Sequence, residues 1–271
     1  IIAHITGRKD VQMLSHEGKY VERSLVPIFE GIGIRVGDRV NNVSFKLYPG
    51  EILGLAGLMG SGRTELVRAI FGMDKKDAGV VKIAGQEVSI KSPRDAMSNG
   101  IAFIPEDRRR QGLVMEHSVK QNILSTNLSS LSHKSFLNFS KINTVVQDSI
   151  INFEVRPAEA NREVRLLSGG NQQKIVLARE IERNPDLLLI GQPTRGVDIG
   201  AIEFIHQQIV ALRDQGKAIL LVSVELDEIL SLSDRIAVMF DGQIMGERDP
   251  ADTNEKELGL LMAGVTGEAS A

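Results

Sequence analysis

The run Gly57-Leu58-Met59-Gly60-Ser61-Gly62-Arg63-Thr64 spaces its glycines and hydroxyl in the phosphate-binding pattern G-x-x-x-x-G-K-[ST], with Arg in place of Lys. Bare glycine backbone lets successive N–H groups curl around phosphate oxygens, a following helix adds partial positive charge, and the Thr64 hydroxyl can sit on Mg²⁺. Arg63 keeps the cation, but its planar fork does not reproduce a compact ammonium, so the phosphate geometry changes. A second run, Leu167-Ser168-Gly169-Gly170-Asn171, directly precedes a helical pattern. There Ser168, Gly169, Gly170 and Asn171 can present a hydroxyl and open N–H groups to an anion, or Ser168 can be an ordinary helix cap. The residues alone leave both readings open.

These loops need a frame. Val43, Phe45 and Leu47 alternate along a half-buried strand, Pro49-Gly50 turns the chain, and Ile52 to Ala56 form a short apolar strand entering the glycine loop. Glu65, Leu66, Val67, Ala69 and Ile70 then suit a helix. Val80 to Ile83 and Val88 to Ile90 read as strands flanking Gly85, Ser92-Pro93 opens a short helix closed by Gly100, and residues 101 to 104 form another strand. From about 113 to 165 the chain is polar and helical in places, with Val119, Ile123, Val145 and Ile150 available for a small separate core. After Ser168 a helix carries Ile175, Ala178 and Ile181, and Asn184-Pro185 stops it before the buried strand Leu187 to Ile190. Ile202, Ile205, Ile209 and Leu212 share a helical face that Gly216 ends, and Ala218 to Val222 and Ile236 to Met239 are further strands. Strands alternating with helices predict an α/β fold around a mostly parallel sheet.

The phosphate loop, the LSGG run and the apolar strand leading into Gln192-Pro193-Thr194-Arg195-Gly196-Val197-Asp198 follow the order and spacing of the ATP-binding cassette (ABC) superfamily, which the chain resembles from about residue 32 to 245. The resemblance implies an ABC-type nucleotide-binding domain over residues 32–264, with an N-terminal antiparallel β subdomain and a helical subdomain at about 106–168. Residues 1–31 are then a linker or the tail of a preceding half, since the opening Ile1 to Arg8 resembles the segment that ends each half in such proteins. Residues 265–271 are a C-terminal tail. The family binds ATP with Mg²⁺ between two cassettes, so Gly57, Gly60, Ser61, Gly62, Arg63 and Thr64 are the expected nucleotide contacts, with Thr64 on the metal. Ser168, Gly169, Gly170 and Asn171 are expected to meet the nucleotide of a partner, with Ser168 and Gly170 serving catalysis in trans.

The departures from the family pattern carry as much information. Where the family closes a strand with Asp-Glu, this chain has Gly191-Gln192. The family's switch His falls on Val224, a Gln that senses Mg²⁺ aligns with Glu106, and no aromatic is placed to stack on adenine. Gln192 can hydrogen-bond a water but cannot take its proton, and Val224 can do neither. The own site is therefore expected to be degenerate, with weakened Mg²⁺ binding.

Pro105-Glu-Asp-Arg108, the Asn after LSGG and Pro-Thr-Arg-Gly-Val-Asp198 resemble the C-terminal half of tandem ATP-binding proteins that drive bacterial uptake of simple sugars, and Gly191-Gln192-Pro193 resembles the nucleoside-importing members. The partners so implied are a second cassette half, transmembrane permease subunits docked near Glu106 and the helical subdomain, and indirectly a periplasmic or lipoprotein solute-binding protein. The implied location is peripheral, on the cytoplasmic side of the inner membrane. The alternative is a structural or regulatory domain that binds nucleotide without turnover. A cassette protein of DNA repair or translation is disfavoured, because residues 62–168 hold no long heptad insertion and a net charge of −3 gives no pull toward nucleic acid. With 42% hydrophobic residues the chain can fill the core of one large domain, and the absence of cysteine excludes disulfides and thiolate zinc sites.

Overall fold

The computed structural model describes residues 26–133 and 136–265. The opening segment Ile1 to Arg8 and the tail after residue 265 lie outside them. Strand β1 (Phe29–Val36) begins three residues before the boundary placed at residue 32 and pairs antiparallel with β2 (Val40–Leu47) and β4 (Ala78–Ile83). With β5 (Gln86–Val88) they form a four-stranded antiparallel sheet in the order β2-β1-β4-β5. Val43, Phe45 and Leu47 are buried, as their alternation predicts.

The larger sheet contains β3 (Ile52–Gly57), β6 (Ile101–Ile104), β9 (Leu187–Gly191), β10 (Ala218–Val222), β11 (Arg235–Phe240) and β12 (Gln243–Arg248), in the order β12-β11-β3-β10-β9-β6. Every pairing is parallel except β11 with β12. Both faces are covered, so the central strands read as unbroken apolar runs. Side-chain alternation still sorts them. Ile52, Ala56, Leu188 and Ile190 join the core under the helix Ile199–Asp214, while Leu53, Leu55, Leu187 and Leu189 join the core shared with the antiparallel sheet.

The helical subdomain contains the helices Val119–Leu124 and Phe139–Asn152 and the small hairpin β7 (Ser132–His133) and β8 (Phe136–Leu137), which periodicity did not reveal. Val119, Ile123 and Ile150 are buried, whereas Val145 is only partly so and its neighbour Val146 takes the core position. Ile202 departs from expectation too. Ala201, Ile205, Ile209 and Leu212 form the buried stripe, and Ile202 turns toward a cleft. Besides that hairpin, the sequence pattern did not reveal β1, the helices Leu226–Leu232 and Glu255–Met262, or the polar edge strand β12. No helix among the described residues is long and apolar enough to cross a membrane.

The parallel register sets the site. Val222 pairs with Leu55 and Gly191, and Ile104 pairs with Ile190, so β3, β6, β9 and β10 end together along one edge. The loops that follow carry the phosphate-binding run, Glu106, Gln192 and Val224. Open parallel sheets bind ligands at this edge.

Candidate functional site

The phosphate loop runs from the end of β3 into the helix Arg63–Ile70. Gly62 is its N-cap, at φ 96°, and no side chain caps the helix, so the first-turn N–H groups are left for a ligand. A Cβ on Gly62 would lie 2.2 Å from the Arg39 carbonyl oxygen, so only glycine lets the β1–β2 turn close on the loop. A cleft of about 830 Å³ opens here, lined by the loop, Glu106, Gln192, Val224 and the helix faces carrying Ile202 and His206. Its lining includes no Phe or Tyr among the described residues.

Arg63 does not face this cleft as a free cation. It is buried, with Nη1 donating to the Ser223 carbonyl at 2.6 Å and Nη2 to the Leu58 carbonyl at 3.4 Å. Burial lowers its pKa from the ordinary value, and the Glu106 carboxylate pulls the other way. The longer side chain thus crosses the loop and ties it to the end of β10.

Thr64 does not stand alone at the mouth of the loop. Its hydroxyl donates to Glu106 Oε1 at 2.6 Å. Glu106 reaches it across the space above Gly191, where an added Cβ would meet Glu106 Cγ at 2.8 Å and its backbone nitrogen at 3.2 Å. Glycine at 191 and a glutamate at 106 are therefore one steric solution, which lets a carboxylate from the end of β6 pass over the end of β9. A hydroxyl and a carboxylate side by side suit a hard cation such as Mg²⁺. No cluster of three or more His, Asp or Glu among the described residues could hold a metal, so the remaining ligands would be phosphate oxygens and water.

This packing makes a stability prediction. Gly191→Ala is expected to cost about 1–3 kcal/mol through overpacking against Glu106, lowering Tm by roughly 2–4 °C per kcal/mol, and Glu106→Ala in the same chain should restore much of the loss. Thermal melts of the two variants check it. A Gly191→Ala chain that melts with the wild type would show that Glu106 yields without cost.

Gln192 and Val224 stand together at the cleft wall. Gln192 follows β9 at φ 46°, its N–H donates to the Val222 carbonyl, and its Oε1 accepts weakly from the Val224 N–H at 3.5 Å. Neither of these two side chains can accept a proton. Beside them Glu228, buried, accepts from Thr194 Oγ1 at 2.9 Å and lies 2.8 Å from His206 Nε2. These three come from segments separated by 22 and 34 residues, and no sequence spacing pointed to them.

Ser168 caps the helix Gly169–Ile181. It is exposed, and its oxygen accepts from the Asn171 N–H at 3.4 Å and from Asn171 Nδ2 at 2.9 Å. With both lone pairs engaged, the hydroxyl proton is directed elsewhere, as a donor. Asn171 also accepts from the Arg156 N–H at 2.7 Å, joining the signature to the helical subdomain. The cap reading is thus true, and the hydroxyl keeps its proton to donate. The two glycines pack within the chain: a Cβ on Gly169 would meet Arg108 Nη2 and the Gly196 carbonyl, each at 2.5 Å, and one on Gly170 would meet Ala201 Cβ at 2.6 Å. The signature surface and the cleft of one chain are separate sites.

The comparisons with known proteins agree with this layout. The ABC transporter family model matches residues 40–195. The nucleoside import ATP-binding protein NupA of Lactococcus lactis subsp. cremoris (strain MG1363) is 48% identical over 228 residues, which are 83% of this chain and 45% of that protein. The guanosine import ATP-binding protein NupO of Bacillus subtilis (strain 168) is 43% identical over 231 residues, 84% of this chain and 45% of its own. The chain spans about half the length of the curated relatives it matches. Among solved structures, a nucleotide-free ATP-binding cassette from an ABC transporter superimposes with a TM-score of 0.70 at 25% identity, covering 88% of this chain and 95% of that one. The phosphate loop, the signature and the family match place it in one group: the chain belongs to the ABC transporter family, as an ATP-binding cassette.

Proposed function

We propose that this chain is the C-terminal half of a tandem ATP-binding protein that powers import of nucleosides or simple sugars. Its signature serves the partner half's nucleotide in trans, while its own cleft holds ATP without hydrolysing it. The relatives' names support the solute class, and their doubled length supports a second cassette. One observation carries the division of labour: the exposed capping Ser168 is intact, while Gly191, Gln192 and Val224 offer no proton acceptor at the three positions where they stand. Permease subunits dock on the helical subdomain, where the exposed side chains of Phe136, Leu137 and Phe139 offer apolar contact, and the cassette sits at the cytoplasmic face of the membrane. Hydrolysis by the assembled transporter but not by this chain alone is the test.

The own site keeps a metal-binding role in this reading. Thr64 and Glu106 would hold Mg²⁺, which when bound screens the phosphate charge. With a non-hydrolysable ATP analogue bound, Glu106→Gln is expected to weaken Mn²⁺ binding by at least about tenfold, since a charge-assisted contact is worth roughly 1.5–3 kcal/mol. Electron paramagnetic resonance of Mn²⁺ reads this directly. Unchanged affinity would remove Glu106 from the metal's shell.

A further inference from the structure

Arg108 opens the turn Arg108–Gly112, two residues after Glu106. The Asp107 carboxylate accepts from the N–H groups of Arg109 and Arg110, which fixes the start of the turn. From there the Arg108 side chain reaches the loop after β9: Nη1 donates to the Arg195 carbonyl at 2.5 Å and Nη2 to the Gly196 carbonyl at 2.8 Å. Gly196, at φ 65°, takes the left-handed backbone that turns its loop there.

The guanidinium is also covered from above. An added Cβ on Gly169 would lie 2.5 Å from Arg108 Nη2 and 2.5 Å from the Gly196 carbonyl oxygen, so the first turn of the signature helix rests on this contact. The far end of the same turn is tied to the same helix, where Arg179 donates to the Gly112 carbonyl and Val176 packs on Gly112. Burial lowers the Arg108 pKa, with Arg109 and Arg195 adding like charge and Asp107 opposing. Two carbonyls at fork spacing are what a guanidinium can bridge and a point ammonium cannot.

We propose that Arg108 is a positioning residue that locks the Ser168–Gly170 start of the signature helix to the Arg195–Asp198 loop, so that both surfaces meet the partner's nucleotide as one rigid unit. It touches no reacting atom. The inference rests on the trans reading for its consequence in catalysis, but the lock itself is a property of this chain.

The primary test is hydrogen exchange of the chain. Arg108→Ala is expected to speed amide exchange about tenfold in both residues 169–172 and 195–198, with β9 and β10 unchanged, because two charge-assisted bonds are lost from one junction. Arg108→Lys keeps the charge and stem but spans one carbonyl, and should loosen the same two segments to a smaller degree. In the assembled transporter, Arg108→Ala should lower kcat about tenfold and leave KM for ATP within about twofold, since nucleotide binding belongs to the partner's phosphate loop. Should Arg108→Ala fail to fold, Arg108→Lys carries the test. Exchange that rises in only one segment, or in neither, overturns the lock. If both segments loosen while kcat stays at the wild-type value, the positioning role is overturned. Ser168→Arg in parallel separates the two ideas: full hydrolysis by that variant overturns the trans reading and leaves the exchange result to judge Arg108 alone.

Discussion

In the assembled transporter, Ser168→Arg and Gly170→Asp are expected to abolish ATP hydrolysis, whereas Gln192→Ala leaves most of it. The Ser168 oxygen already accepts twice from Asn171, so its proton is available to a phosphate held by the partner. An oriented donor of this kind typically supplies about 3 kcal/mol of barrier lowering, roughly a hundredfold in rate. A long cation in its place also keeps the partner's loop away. Because Ser168 is exposed, the variant loses only the helix cap, about 1 kcal/mol, and the chain stays folded. Gly170→Asp acts differently. Its side chain would be built against Ala201 and the Asp198 carboxylate, so it displaces the signature from its own loop and adds like-charge repulsion. The Gln192 side chain is a neutral amide that cannot take a proton from water, and it accepts only weakly from the Val224 N–H. Phosphate release from proteoliposomes measures all three. Gln192→Ala as damaging as Ser168→Arg would make this chain's own cleft the catalytic one.

The isolated chain is expected to release phosphate from Mg²⁺-ATP at close to the background rate, although it binds the nucleotide. Loss of a positioned base alone costs about 10²- to 10⁴-fold, and the missing imidazole adds to it without simple multiplication. Glu106 does not replace the base. Its carboxylate accepts from Thr64 and its stem fills the space above Gly191, which holds it beside the phosphate loop. Adding the partner half and permease should raise the rate by orders of magnitude, and Thr64→Ala in this chain should then leave that rate largely unchanged. Robust hydrolysis by the chain alone, abolished by Thr64→Ala, would show that the cleft is competent in cis.

Much of this protein was legible in the residues themselves, wherever information is local. The glycine spacing of residues 57–62, the Ser168 cap and the apolar runs of β3, β9 and β10 each follow from short-range backbone chemistry and side-chain period. So did the losses at Gly191, Gln192 and Val224, because a missing functional group is a fact about one position. Short or polar elements were not legible. Leu226–Leu232 is too brief to show a helical period, and β12 is an edge strand whose pairing with β11 comes from the sheet rather than from an apolar pattern. What only the tertiary structure decided is how the altered positions compensate one another. By residue type Arg63 was a phosphate cation, Glu106 a substituted sensor and Gly191 a deleted ligand. In space Arg63 is spent on the Ser223 and Leu58 carbonyls, and Glu106 stands beside Thr64 because Gly191 has no side chain to exclude it. Arg108, in the sequence only the last residue of the Pro105-Glu-Asp-Arg run, bridges two carbonyls 87 and 88 residues away. Contacts of that range depend on the parallel register that ends β6, β9 and β10 at one edge, and no single segment of sequence contains that register.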